Sequence, residues 1–279
     1  MIKLIASDLD GTLLDQKGNL PQEIFPIVRR LSERGVLFVP ASGRQADNLE
    51  NMFAPVKDQC AFIMENGALV RYRGQTLLLN PLSPEKVKRA LDIVRKTQGA
   101  YPILCSDKIA YIENDIEPFF TRTTTPYASY KLVKNLDEVI GKVPCCKISV
   151  FSEKNATEQG YKALLPYSDG VKLTVSGGHW CDVSAPTAHK GVGLQKLQEF
   201  FHIKREESLA FGDQMNDVEM FRACAHTAAT KNAHPLIKAQ ADKIIPANTD
   251  GGVLKALTAM LETPRDENKG VRLWTKNLS

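Results

Sequence analysis

The chain has 279 residues, 43% hydrophobic and 24% charged, with a formal net charge of +4. That balance predicts a packed globular protein of one large or two ordinary domains and excludes a disordered chain. The excess positive charge is spread out with no basic block, which argues against a nucleic-acid partner, and there is neither a signal-peptide core nor an apolar run of membrane-spanning length. A cytoplasmic protein with no membrane partner is therefore expected. The six cysteines are expected to be reduced thiols. His179 and Cys181 lack the second close pair that a zinc site needs.

Residues 2–7 read as a short buried strand. In LPQEIFPIVRRLSERG, Ile24, Ile27, Val28 and Leu31 recur at helical spacing and Gly35 marks the stop. VLFVP is a strand, ASGR a turn, QADNLENMF a helix and AFIM a third strand that ends at ENGA. This alternation predicts a parallel α/β sheet. The pattern then changes. VRYRGQTLLL reads as a hairpin about Arg73-Gly74, and SPEKVKRALDIVRKTQG as a helix capped by Ser83 with Pro84 at its first position. The strand-like pieces YPILC, KIAYIE, CCKISVF, VKLTVS and HWCDVS, with helical TEQGYKALL among them, predict a second, antiparallel sheet. Alternation resumes at HKGVGLQKLQEFF and runs through SLAFGD, NDVEMFRAC, PLIKAQAD, KIIP and GGVLKALTAML. The expected fold class is α/β, a Rossmann-like parallel-sheet core with an inserted α+β cap. Its expected divisions are a core at 1–82, an insert at 83–184 and a core again at 185–279. The polar tail after Thr263 is expected to be poorly ordered.

Two strand ends carry acids. Asp8 follows the first strand, with Asp10 two residues on, where the two side chains share a face if the extended path continues. Asp213 follows the strand SLAFG, with Asn216 and Asp217 close behind and Gly212 permitting a tight turn. Ligands of parallel α/β sheets bind outside the carboxyl ends of the strands, so both groups point to one crevice. About four carboxylates there need a countercharge, and a hard divalent cation such as Mg2+ with oxygen ligands supplies it. Ser42 and Gly43 add a hydroxyl and backbone N–H groups, and Lys190 adds an ammonium at a helix start. Carboxylates, a cation, a lysine and anion donors together suit phosphoryl transfer.

DLDGTLLD, ASGR, HKG and GDQMND, in this order, resemble the four motifs of the haloacid dehalogenase superfamily of phosphatases. The long insert, with ENGA just before it, resembles the Cof-like subfamily with its large α/β cap. The resemblance implies that Asp8 is the nucleophile and forms an aspartyl-phosphate, and that Asp10 is the general acid and then base. It implies Mg2+ held by Asp8, the Asp10 carbonyl and Asp213 with Asp217 close by. Leu9, Ser42, Gly43, Lys190 and Asn216 would hold the phosphoryl group. In the insert, Arg122, His179 and Trp180 are candidate specificity residues, although a structural hairpin and a surface arginine explain them as well. Gly11, Thr12 and Glu65-Asn66-Gly67 read as turn residues, and Phe119 and Phe120 as insert core. The expected function is a Mg2+-dependent phosphatase of small phosphorylated metabolites, sugar phosphates first, acting as a monomer or weak homo-oligomer. A phosphotransferase or mutase using the same intermediate, and a non-catalytic phospho-metabolite sensor, are the alternatives.

Overall fold

The apolar run LIAS forms a fully buried strand, β1 (Leu4–Ser7), with β2 (Leu37–Pro40) parallel beside it. Helix α1 (Ile24–Glu33) connects them and buries Ile24, Phe25, Ile27, Val28 and Leu31, an apolar stripe at helical spacing. The computed structural model describes residues 1–124, 129–262 and 270–274. Helix α2 (Ala46–Met52) follows β2, and then β3 (Ala61–Met64), β4 (Leu69–Tyr72) and β5 (Gln75–Leu79) form a three-stranded sheet. The β4–β5 turn is made by Arg73 and Gly74 at φ 47° and 76°, the left-handed pair that a two-residue hairpin turn requires. Strand β3 also carries parallel bridges to the β2 segment at Phe38–Cys60 and Ala41–Ile63.

The insert runs α3 (Pro84–Arg95), β6 (Ala100–Cys105), β7 (Ala110–Ile112), α4 (Phe119–Thr124), β8 (Tyr130–Leu132), β9 (Lys147–Ser152), α5 (Lys162–Leu164), β10 (Lys172–Gly177) and β11 (Trp180–Ser184). Ser83 caps α3 as expected, accepting from the Lys86 N–H at 3.4 Å, with Pro84 behind it. The sheet order is β10-β11-β9-β6-β7-β8. All the pairings are antiparallel except β7–β8, which is parallel because α4 intervenes between the two strands. Alternation sorts the faces. Leu104, Ile148, Val150 and Val183 pack with Leu91 and Val94 of α3, whereas Ile103, Phe151 and Ile112 pack with Phe119.

The chain then returns with α6 (Lys190–Phe201), β12 (Ser208–Gly212), α7 (Val218–Ala223), β13 (His226–Thr230), α8 (Pro235–Lys238), β14 (Lys243–Ile245) and α9 (Gly252–Glu262). These strands join the first two in an all-parallel sheet of order β14-β13-β12-β1-β2. One face, with Leu4, Ala6 and Ala210, packs on Leu194 and Leu197 of α6 and on Met220 and Phe221 of α7. The two helices approach closely at Gly191, where a Cβ would run into the Glu219 carbonyl.

Contact clustering gives two compact units. The first holds Met1–Gly43, Leu49–Leu78 and His189–Ser279, and the second Arg44–Asn48 with Leu79–Ala188. Against the expected insert of 83–184, the second unit takes in more residues at each end, because Leu82 bridges to Cys145 and Asn80 bonds to Thr187. It also takes in Gln45, whose side chain donates to the Ser129 carbonyl at 3.0 Å. The expectation for the tail is corrected in part. Val271 bridges to Ile2, and Trp274 is buried, stacked on Phe211 at 6.0 Å. Two apolar residues in a polar stretch account for this; residues 263–269 and 275–279 lie outside the described residues. Among the described residues no helix is long and apolar enough to cross a membrane.

Candidate active site

The register of the parallel sheet builds the site. Ser7 stands opposite Phe211 and opposite Pro40, so Asp8, Asp213 and the Ala41–Ser42 turn leave the same edge of the sheet. Asp8 is 6% exposed and holds the strand end through its N–H, which donates to the Phe211 carbonyl at 3.0 Å. Lys190, fully buried at the start of α6, donates to Asp8 Oδ1 and, at 2.7 Å, to Asp217 Oδ1. The other Asp217 oxygen accepts the N–H groups of Asp213 and Gln214 at 2.9 and 3.0 Å. Thr12 Oγ1 donates to Asp213 Oδ1 at 2.9 Å. Gly11, at φ +83°, lies so close to Asp213 that a Cβ would clash with its carboxylate.

Carboxylate oxygens of Asp8, Asp213 and Asp217 lie within 4.8 Å of one another. Three buried carboxyl groups surround one ammonium, an excess of two acidic groups. Burial lifts the Asp8 carboxyl well above the usual carboxylate range; Lys190 pulls it down, and Asp217 and Asp213 push it up again. Asp213 is raised by burial and by Asp217, against the bond from Thr12. Burial disfavours the Lys190 charge, but Asp217 and Asp8 outweigh it and hold the ammonium above the ordinary lysine range. A hard divalent cation fits this set: the donors are oxygens, and the acids outnumber the lysine. Among the described residues His179 and Cys181 belong to no such metal-binding group.

The remaining candidates divide. Ser42 is buried and Asn216 half-buried at the same sheet edge, and Asn216 Nδ2 donates to Asn66 Oδ1 at 3.2 Å. Of the two backbone N–H groups expected to serve an anion, that of Ser42 is already committed, donating to the Ile63 carbonyl at 2.9 Å. Leu9 is buried, and its carbonyl accepts from Thr12, Leu13 and Leu14. The strand ends at Ser7 and the chain turns at once, so Asp10 is exposed and does not share the burial of Asp8. Thr12, a turn residue by its local sequence, also reaches the acid cluster, and its place in the DGT run is the signal for it. In the insert unit, Arg122, His179 and Trp180 all gather on one ring. The Arg122 guanidinium sits 5.9 Å from the Phe151 centroid, and the His179 and Trp180 rings lie 5.7 and 5.1 Å from it. The His179 Nδ1 donates to the Ser152 carbonyl at 2.8 Å, since a carbonyl oxygen can only accept.

A parallel α/β sheet that presents buried acids and a lysine at its carboxyl edge, with a separate α+β insert, defines the haloacid dehalogenase-like hydrolases. The chain belongs to that family: its model matches residues 5–257. The 5-amino-6-(5-phospho-D-ribitylamino)uracil phosphatase YbjI of Escherichia coli (strain K12) is 29% identical, over 95% of this chain and 99% of that protein. A phosphoglycolate phosphatase of Metallosphaera sedula is 28% identical, over 94% and 100%. Among solved structures, one from Eubacterium rectale matches at a TM-score of 0.83 with 26% identity, over 92% of this chain and 98% of that one. The Thermotoga maritima protein TM0651 matches at 0.81 with 26% identity, over 92% and 97%.

Proposed function

We propose that this chain is a Mg2+-dependent phosphatase of small phosphorylated metabolites, sugar phosphates first, acting through an aspartyl-phosphate on Asp8. The observation that carries the reading is the buried cluster of Asp8, Asp213 and Asp217 around Lys190. Asp8, the Asp10 carbonyl, Asp213 and Asp217 would hold Mg2+, whose contribution is countercharge for the carboxylates and the phosphoryl oxygens. Asp8 attacks phosphorus through the oxygen not held by Lys190. Its O–P bond forms as the bond to the leaving oxygen breaks, and Asp10 gives that oxygen a proton. Asp10, exposed beside the turn, then takes a proton from water, the water oxygen attacks phosphorus, and Asp8 leaves as a carboxylate. Ser42, Gly43, Lys190, Asn216 and the Leu9 and Asp10 amides hold the phosphoryl oxygens.

Relatives named for a phosphorylated ribityl compound and for phosphoglycolate support a small phosphorylated substrate. We assign leaving-group selection to Arg122, His179 and Trp180; their convergence on Phe151 supports treating them as one surface. Six free, buried cysteines support a reducing compartment, the cytoplasm. Asp8→Asn tests the chemistry: with Mg2+, phosphate release from p-nitrophenyl phosphate is expected to vanish while the circular dichroism spectrum persists. Turnover by the variant near the parent rate refutes the role of Asp8.

A further inference from the structure

The Glu65-Asn66-Gly67 segment does more than start a hairpin. Glu65 and Asn66 both take left-handed backbone, at φ 50° and 54°, which non-glycine residues adopt only at a cost. Two glycines would make such a turn without strain, so the side chains at these positions need a reason. At Asn66 the reason is visible. Its N–H donates to the Ser42 carbonyl at 3.0 Å. Its side chain fills the space over Gly43, where a Cβ would stand 2.8 Å from Asn66 Nδ2. Its Oδ1 accepts from Asn216 Nδ2 at 3.2 Å, across 150 residues of chain. Gly67, the next residue, lies directly against the His189 carbonyl at the start of the helix that carries Lys190.

We propose that Asn66 is a positioning residue of the anion cradle, joining the loop after β2 to the loop after β12 and fixing the amide of Asn216. The proposal rests on the phosphatase reading of the site. The mechanism is geometric. An amide NH2 carries two donors in one plane. Committing one of the Asn216 donors to Asn66 Oδ1 fixes that plane and aims the second donor at an external acceptor. The same side chain packs against Gly43, so a larger residue there would have to displace it. Asn66 itself need not touch the phosphoryl group.

Asn66→Gly tests this, since glycine adopts the left-handed backbone freely and only the side chain is lost. The probe is inorganic phosphate, titrated calorimetrically in the presence of Mg2+, alongside KM and kcat for p-nitrophenyl phosphate. The variant is expected to bind phosphate roughly three- to tenfold more weakly and to raise KM by a similar factor, the loss of about one hydrogen bond's worth of orientation. Asn216→Ala is expected to do the same, and the double variant is expected to be no worse than Asn216→Ala alone, because Asn66 acts through Asn216. Phosphate affinity within about twofold of the parent, or losses that multiply in the double variant, overturns the proposal. So does loss of the circular dichroism spectrum in Asn66→Gly, which would make the residue structural. A parent that neither binds phosphate nor turns over overturns the phosphatase reading, and this proposal with it; a competent parent beside an unaffected Asn66→Gly overturns this proposal alone.

Discussion

Lys190→Met removes the one cation among the acids of the cluster while keeping the length and packing of the stem. Lys190 and Asp217 are fully buried and Asp8 nearly so. The variant therefore leaves the Asp8 and Asp217 carboxylates without their ammonium partner. Removing one member of a buried ion pair costs about 3–5 kcal/mol, far more than a surface pair contributes. At about 2–4 °C per kcal/mol, the thermal midpoint in EDTA is expected to fall by roughly 6–20 °C. Two further readouts separate charge from packing. Mg2+ is expected to restore more stability to Lys190→Met than it adds to the parent, because the ion supplies the missing countercharge. Asp8→Asn is expected to offset part of the loss in the double variant, because it removes a charge that Lys190 neutralised. A Lys190→Met chain that melts within about 2 °C of the parent in EDTA would refute the reasoning, since burial and ion pairing would then be contributing almost nothing.

The raised carboxyls of Asp8 and Asp213 give a pH dependence of definite sign. Both bind protons more tightly folded than unfolded, so their contribution is present below the ordinary carboxylate pKa and is lost as pH rises through the raised values. In EDTA, the melting temperature contributed by this site is expected to be higher near about pH 5 than about pH 8, and stabilisation by Mg2+ to be larger at the higher pH. A Mg2+ effect independent of pH would count against the cluster as the metal site. Gly11→Ala places a Cβ against Asp213 in a left-handed backbone and is expected to cost about 1–3 kcal/mol and to raise the Mg2+ concentration for half-maximal turnover. A parent-like Mg2+ requirement would show that Asp213 tolerates displacement. Trp274→Ala empties the stack on Phe211 and is expected to cost about 3–5 kcal/mol in urea unfolding; no loss would restore the expectation of an unstructured tail.

The strands that bear the acids were legible because each is a short apolar run cut off by an aspartate, and the parallel register does the rest. Strand β13 was not legible: HTAAT carries no bulky β-former, and its alanines are buried because it sits between β12 and β14. Strand β8 is three exposed residues at a sheet edge, too short and too polar to announce itself. The shared strand face of Asp8 and Asp10 requires the strand to continue, and β1 ends at Ser7 with a turn at Leu9, so alternation does not place Asp10. Asn66 gave the same Asn-Gly signal as any tight turn; its bond to Asn216 depends on which strands become neighbours, which local spacing does not encode. In sequence Arg122 stands far from His179 and Trp180, and Phe151, the ring all three share, is only the aromatic of the strand CCKISVF.

Thr12 and Asp213 are bonded across 201 residues of chain, and the strands that carry them are immediate neighbours in mid-sheet. During synthesis at about 5–20 residues per second, β1 waits roughly 10–40 s on the ribosome before β12 exists to pair with it. Its apolar edge has only β2 for company in that interval, while the insert emerges and can settle first. The acid cluster is thus acquired late: a nascent chain halted anywhere before β12 carries Asp8 but not the Asp213 and Asp217 needed to complete it.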